Sequence, residues 1–143
     1  MQIKDVMTAP AIRIHPDETV AVAARTLAHY NIGILPVCGQ DGRMQGLVTD
    51  RDIVIRCLAA GRSAADTAVR DIMTKQVLTA RPGTDVQEAA RTMGMRQIRR
   101  LPVVENGKLC GVVSLGDLAC REETCQEAGS LLTEISGNLS VRD

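Results

Sequence analysis

Apolar and polar positions change period in the same order twice along this chain. Ile12 and Ile14 alternate with polar neighbours as a short strand does, and Pro16 ends that run. Val20, Ala23, Ala24 and Leu27 then recur at i, i+3, i+4 and i+7, the apolar face of a helix. The stretch IGILPVC (32–38) reads as a strand, Asp41-Gly42 as a turn, and MQGLVT (44–49) as its hairpin mate, with a last helix from Thr49. In the second half Val86, Ala89, Ala90 and Met93 form the helix face. RRLPVV, Asn106-Gly107 and KLCGVVS form the hairpin, and Ser114 opens the last helix. Thr19 and Asp85 stand at the N-cap positions of the long helices, with Glu88 placed as a capping-box partner of Asp85. The predicted unit is strand, helix, strand, strand, helix, made twice.

The residues repeat as well as the pattern. Asp5, Met7, Thr8, Pro16, Arg25, Thr26, Ile32 and Leu35-Pro36-Val37 return as Asp71, Met73, Thr74, Pro82, Arg91, Thr92, Ile98 and Leu101-Pro102-Val103, each 66 positions on. Past one deletion in the hairpin turn, DGRMQGLVTDRDI (41–53) aligns with NGKLCGVVSLGDL (106–118). A solenoid needs at least about three repeats, so two copies are expected to pack face to face as one pseudo-twofold domain. The expected divisions are a first repeat over 1–61, a linker over 62–70, a second repeat over 71–122 and a C-terminal helical tail over 123–143. In that tail Leu131, Leu132 and Ile135 make one stripe, suited either to the tail's own domain or to a dimer contact near Cys120 and Cys125.

Composition narrows the function classes. The chain of 143 residues is 45% hydrophobic but 1% aromatic, so its core is built from Val, Ile, Leu, Ala and Met. The lack of aromatics and the balance of 17 Lys+Arg against 17 Asp+Glu argue against a nucleic-acid partner. Apolar runs fall short of the ~20 residues of a membrane span, and MQIKDVMTAP has no signal-peptide core, so a cytoplasmic protein with no membrane partner is expected. Five cysteines without a C-x-x-C pair suggest neither a disulfide framework nor zinc, and His15 and His29 have no ligand at helical spacing. No nucleophile has a recognisable base partner and no glycine-rich phosphate loop occurs, so no catalytic residues and no enzyme activity are expected.

The candidate chemistry lies where each hairpin meets its last helix, in GLVTDRD and GVVSLGD. Thr49 with Asp52, and Ser114 with Asp117, fit S/T-x-x-D, which satisfies exposed N–H groups as a capping box. The same residues suit a ligand. A helix start attracts anions, Arg51, Arg99 and Arg100 offer phosphate donors, and an aspartate can accept both hydroxyls of a ribose. Pro36 and Pro102 either mark a strand edge or leave backbone at Ile34-Leu35 and Arg100-Leu101 to pair with a base edge. His15, before Pro16, is either a phosphate contact or a solvated side chain.

The doubled pattern MT…P…A…LPVV…G…T/S-x-x-D closely resembles a pair of CBS domains, or Bateman module, over about residues 3 to 122. The first copy, NIGILPVCGQDGRMQGLVTDRDIVIRCLAAG, is also similar to small stand-alone bacterial CBS-pair proteins, including the hypoxic response protein 1 group of actinobacteria. The resemblance implies an α/β (α+β) fold of two βαββα repeats packed through their sheets, with two clefts for AMP, ADP, ATP, NAD, S-adenosylmethionine or a similar ligand. It implies no required cofactor and no metal. Thr49, Asp52, Ser114 and Asp117 would hold riboses. Ile34, Leu35, Pro36, Arg100, Leu101 and Pro102 would read the base. Such pairs form disc-like homodimers that regulate a separate protein, as in signalling or stress responses. Leu115-Gly116 replace Asp50-Arg51 in the second motif, so the two sites are expected to differ. A CBS fold that has lost its ligand and serves only interaction is the alternative.

Overall fold

The computed structural model describes residues 1–119 together with Leu132, Thr133 and Ile135. The tail stripe at Leu131, and Cys120 and Cys125, lie outside the described residues. Helices and antiparallel hairpins are combined in an α+β arrangement, in two compact units. One holds Ile12–Val77 with Gly107–Leu109. The other holds Met1–Ala11, Leu78–Asn106 and the described residues from Cys110 on.

In the first unit α1 spans Val20–Tyr30. Thr19 Oγ1 accepts the Val22 N–H at 3.2 Å, and Asn31 ends the helix in the left-handed conformation at φ 53°. Val20, Ala23 and Leu27 are buried, with Ala24 at the margin. Strands β1 (Ile34–Cys38) and β2 (Met44–Thr49) pair antiparallel, Ile34 opposite Thr49 and Leu35 opposite Val48. The chain then turns into α2 (Asp50–Asp52), which continues as a π-helical segment over Ile53–Leu58.

The second repeat copies this with α3 (Val86–Arg96), β3 (Arg100–Glu105), β4 (Lys108–Ser114) and α4 (Leu115–Ala119), all in the second unit but for Lys108 and Leu109 at the start of β4. Asp85 caps α3 by accepting the Gln87 N–H at 2.8 Å, without the return bond from Glu88 that the sequence suggested. Asn106 and Gly107 both have positive φ, at 53° and 80°, which is the type I′ turn expected of Asn-Gly in a hairpin.

The first strand of each repeat shrinks to one bridge. Ile14 donates to Pro36 C=O and accepts from Cys38 N–H, both at 2.9 Å. Two residues on, where the same edge would bond again, Pro16 has no N–H. Ala80 repeats this bridge against Val103.

The segment leading into each repeat packs on the other repeat's hairpin. In the first unit Val20 N–H bonds to Thr67 C=O at 2.9 Å, and Thr74 exchanges backbone bonds with Leu47 at 2.7 and 2.9 Å. In the second, Val86 N–H bonds to Met1 C=O at 3.0 Å, and Thr8 exchanges bonds with Val112 at 2.9 and 3.1 Å. The cores follow the same exchange. Val69, Ile72 and Met73 are buried with Leu35, Val37 and Val48, whereas Ile3 and Val6 are buried with Val86, Met93, Leu101 and Val113. Both cores are aliphatic. Among the described residues no helix is long and apolar enough to cross a membrane.

Candidate functional site

Each hairpin ends on the hydroxyl residue of S/T-x-x-D, and the reciprocal capping box forms in both copies. Asp52 N–H donates to Thr49 Oγ1 at 3.0 Å, and Thr49 N–H donates to Asp52 Oδ2 at 3.1 Å. Asp117 N–H donates to Ser114 Oγ at 3.0 Å, and Ser114 N–H donates to Asp117 Oδ2 at 2.9 Å. The box fixes each aspartate at the mouth of the turn. It uses part of each carboxylate, which has about four acceptor positions over its two oxygens.

A second donor comes from the leading segments. Thr74 Oγ1 lies 3.2 Å from both oxygens of Asp52, and Thr8 Oγ1 donates to Asp117 Oδ1 at 3.1 Å. Both threonines belong to the repeated Met-Thr of the sequence, which gave no sign that each would meet the aspartate of the other copy. The glycines of GLVTDRD and GVVSLGD make that approach feasible. A Cβ at Gly46 would lie 2.5 Å from Thr74 O, and one at Gly111 would lie 2.7 Å from Thr8 O.

The two aspartates differ in their surroundings. Asp52 is buried, with Arg56 Nε 3.6 Å from Oδ1. Arg56 also donates from Nη1 to the carbonyls of Met73 and Ile72 at 3.2 and 3.4 Å, so it braces the leading segment beside the aspartate. Arg56 was not among the residues expected from the sequence. Asp117 is half-buried.

The strand starts lie beside these turns. Asp50 N–H bonds to Gly33 C=O at 3.1 Å, and Leu115 N–H bonds to Arg99 C=O at 2.9 Å, so Asp50 and Leu115 occupy equivalent places. Because Pro36 and Cys38 bond to Ile14, strand alternation turns the N–H and C=O of Ile34 to that same edge, beyond the end of the bridge. Arg100 holds the matching position past Pro102, whose C=O accepts from Ala80 N–H at 2.9 Å. Leu35 differs from the expectation of free backbone. It faces β2 in the ladder opposite Val48, and its side chain is buried, as is that of Leu101. Neither proline leaves a gap: each turns its nitrogen to the outer edge and uses only its carbonyl there.

The phosphate candidates are spread between the units. Arg51 is exposed beside Asp50, whose Oδ1 accepts the Arg51 N–H at 2.8 Å. Arg99 is exposed and Arg100 half-buried, both in the second unit. His15 is tied locally, Nδ1 accepting the Asp17 N–H at 3.1 Å, so that nitrogen is not open to a phosphate group. Burial pushes the Cys38 thiol above its ordinary range, with Arg13 opposing and Asp41 adding to the effect.

Residues 3–58 and 69–121 each match the family model for the CBS domain. The chain belongs to the CBS-domain family. This CBS pair is 39% identical over 134 residues to the CBS domain-containing protein YhcV of Bacillus subtilis, covering 94% of each chain. It is 34% identical over 116 residues to Hypoxic response protein 1 of Mycobacterium tuberculosis, covering 81% of each. Among solved structures, Hypoxic Response Protein I with two coordinated zinc ions matches with a TM-score of 0.78 at 33% identity, over 85% of this chain and 98% of that one. The CBS domain pair of protein MJ0100, in complex with 5′-methylthioadenosine and S-adenosyl-L-methionine, matches with a TM-score of 0.73 at 29% identity, over 84% and 94%. Among the described residues no group of three or more His, Cys, Asp or Glu is arranged to hold a metal ion.

Proposed function

We propose that this CBS pair is a regulatory module that binds an adenosine ligand and acts, as a cytoplasmic homodimer, on a separate protein. Thr49 with Asp52 and Ser114 with Asp117 hold the ribose hydroxyls. Backbone at Ile34 and Arg100 reads the adenine edge. Arg51, Arg99 and Arg100 serve any phosphate. The observation that carries this reading is the repeated aspartate at each hairpin end, anchored by a capping box and a threonine, with acceptor capacity left on each carboxylate. The relative MJ0100, crystallised with two adenosine compounds, supports the ligand class. Regulation then follows from differential binding, since a ligand shifts two conformations only by the difference in its affinity for them.

The test is a thermal-melt and calorimetric panel with AMP, ADP, ATP, NAD and S-adenosylmethionine on the wild type, Asp52→Asn and Asp117→Asn. A ligand at a hundred times its Kd stabilises the native state by about 2.7 kcal/mol. A rise in midpoint that one substitution removes supports the reading, and no rise with any compound overturns it.

A second reading is a CBS-fold interaction protein that has lost its ligand. The burial of Asp52 between Thr74 and Arg56 favours it, because that carboxylate is already engaged by the protein on both oxygens.

A further inference from the structure

Thr74 and Thr8 are unlike the other hydroxyl residues of the two turns in where their single proton goes. Thr49 and Ser114 accept a backbone N–H on their oxygens, which leaves each O–H proton available to a ligand. Thr74 and Thr8 donate that proton to a carboxylate. A hydroxyl whose proton is committed to an ionised carboxylate presents only lone pairs outward, as the carboxylate itself does. Each turn therefore carries two groups that only accept, an aspartate and a leading-segment threonine, beside one hydroxyl able to donate.

We infer that Thr74 at Asp52 and Thr8 at Asp117 are positioning residues that make these sites selective for a vicinal diol. The inference rests on the adenosine reading above and adds the source of its preference for ribose. Neighbouring hydroxyls of a ribose supply two O–H donors, which match paired acceptors. A phosphate group at neutral pH supplies only acceptors and meets lone pairs there, so phosphates are turned away from this end of the site. By fixing the carboxylate the threonine also removes a rotation that the aspartate would otherwise lose on binding.

Two independent features argue that the contact is specific. It forms in both units from the opening segments of different repeats, between residues 22 positions apart in one and 109 apart in the other. It also persists where the surroundings change, at buried Asp52 beside Arg56 and at half-buried Asp117. A cap needs neither threonine, since each capping box is complete without it.

The experiment compares AMP and ATP with their 2′-deoxy counterparts by isothermal calorimetry, on the full chain and on Thr74→Val and Thr74→Ser. Valine keeps the shape and removes the donor, whereas serine keeps the donor. The wild type should favour the ribonucleotide about tenfold or more, because a deoxy sugar leaves an acceptor unpaired. Thr74→Val should lose most of that preference while binding the deoxy compound within about twofold of wild type, and Thr74→Ser should restore it. A folded Thr74→Val with wild-type preference overturns the inference and leaves the adenosine reading standing. If the wild type binds neither AMP nor ATP, whichever of ADP, NAD and S-adenosylmethionine it binds is compared with its 2′-deoxy counterpart in the same way, and a wild type that binds none of the five overturns both. If Thr74→Val does not fold, Thr8→Val in an Asp52→Asn background makes the same comparison at the other aspartate, where the threonine is exposed.

Discussion

Gly46 and Thr74 are packed so closely that a Cβ on the glycine would lie 2.5 Å from the threonine carbonyl oxygen. The contact lets Leu47 and Thr74 exchange backbone bonds at 2.9 and 2.7 Å, and so brings the threonine hydroxyl to Asp52. Gly111 and Thr8 repeat it at 2.7 Å.

Gly46→Ala should therefore destabilise the protein by about 1–3 kcal/mol, because the atom in the way is backbone and cannot rotate aside. Urea denaturation followed by circular dichroism reads this. A loss below about 0.5 kcal/mol would mean that the leading segment is free to move away.

Asp52→Ala should cost more than Asp117→Ala. Both lose a capping box, about 1 kcal/mol each, but only the first strips a buried partner from Arg56 and Thr74, adding about 1–3 kcal/mol. Chemical denaturation of the two variants without ligand compares them directly, and equal losses would count against burial as the difference.

Ile3 is fully buried in the core of the second-repeat unit, although it stands at the start of the first repeat. Ile3→Ala should cost about 2–5 kcal/mol. Amide exchange should accelerate in β3 and β4 rather than in β1 and β2. The opposite pattern would contradict the exchange of leading segments.

Cys38 is buried, and burial raises its thiol above the ordinary value of 9.0. The native state then holds the proton more tightly than the unfolded chain. The thiol's contribution is fully present below the unfolded value, where both states are protonated, and is lost as pH rises from there through the raised folded value, so native stability falls over that alkaline window. Iodoacetamide at pH 8 should label Cys38 in denaturant and leave it unmodified in the folded protein, as read by mass spectrometry of its peptide. Fast labelling of the native chain would show that the site opens readily.

Local signals determined much of this protein. Periodicity gave α1 and α3 and their buried faces, Thr19 and Asp85 marked where they start, and Asn106-Gly107 specified a I′ turn, because each depends on residues a few positions apart. The S/T-x-x-D boxes were legible for the same reason, since hydroxyl and carboxylate lie within one turn. Tertiary structure alone decided that Ile14 would make a single bridge and that Leu35 would be taken up in its ladder. It alone joined Thr8 to Asp117 across 109 positions, and buried Asp52 beside a half-exposed Arg56 while leaving Asp117 half-buried. These depend on which surfaces meet when distant segments exclude water together. No window of sequence holds both partners, so a repeat that announces itself plainly in the chain still does not say which copy its leading residues will complete.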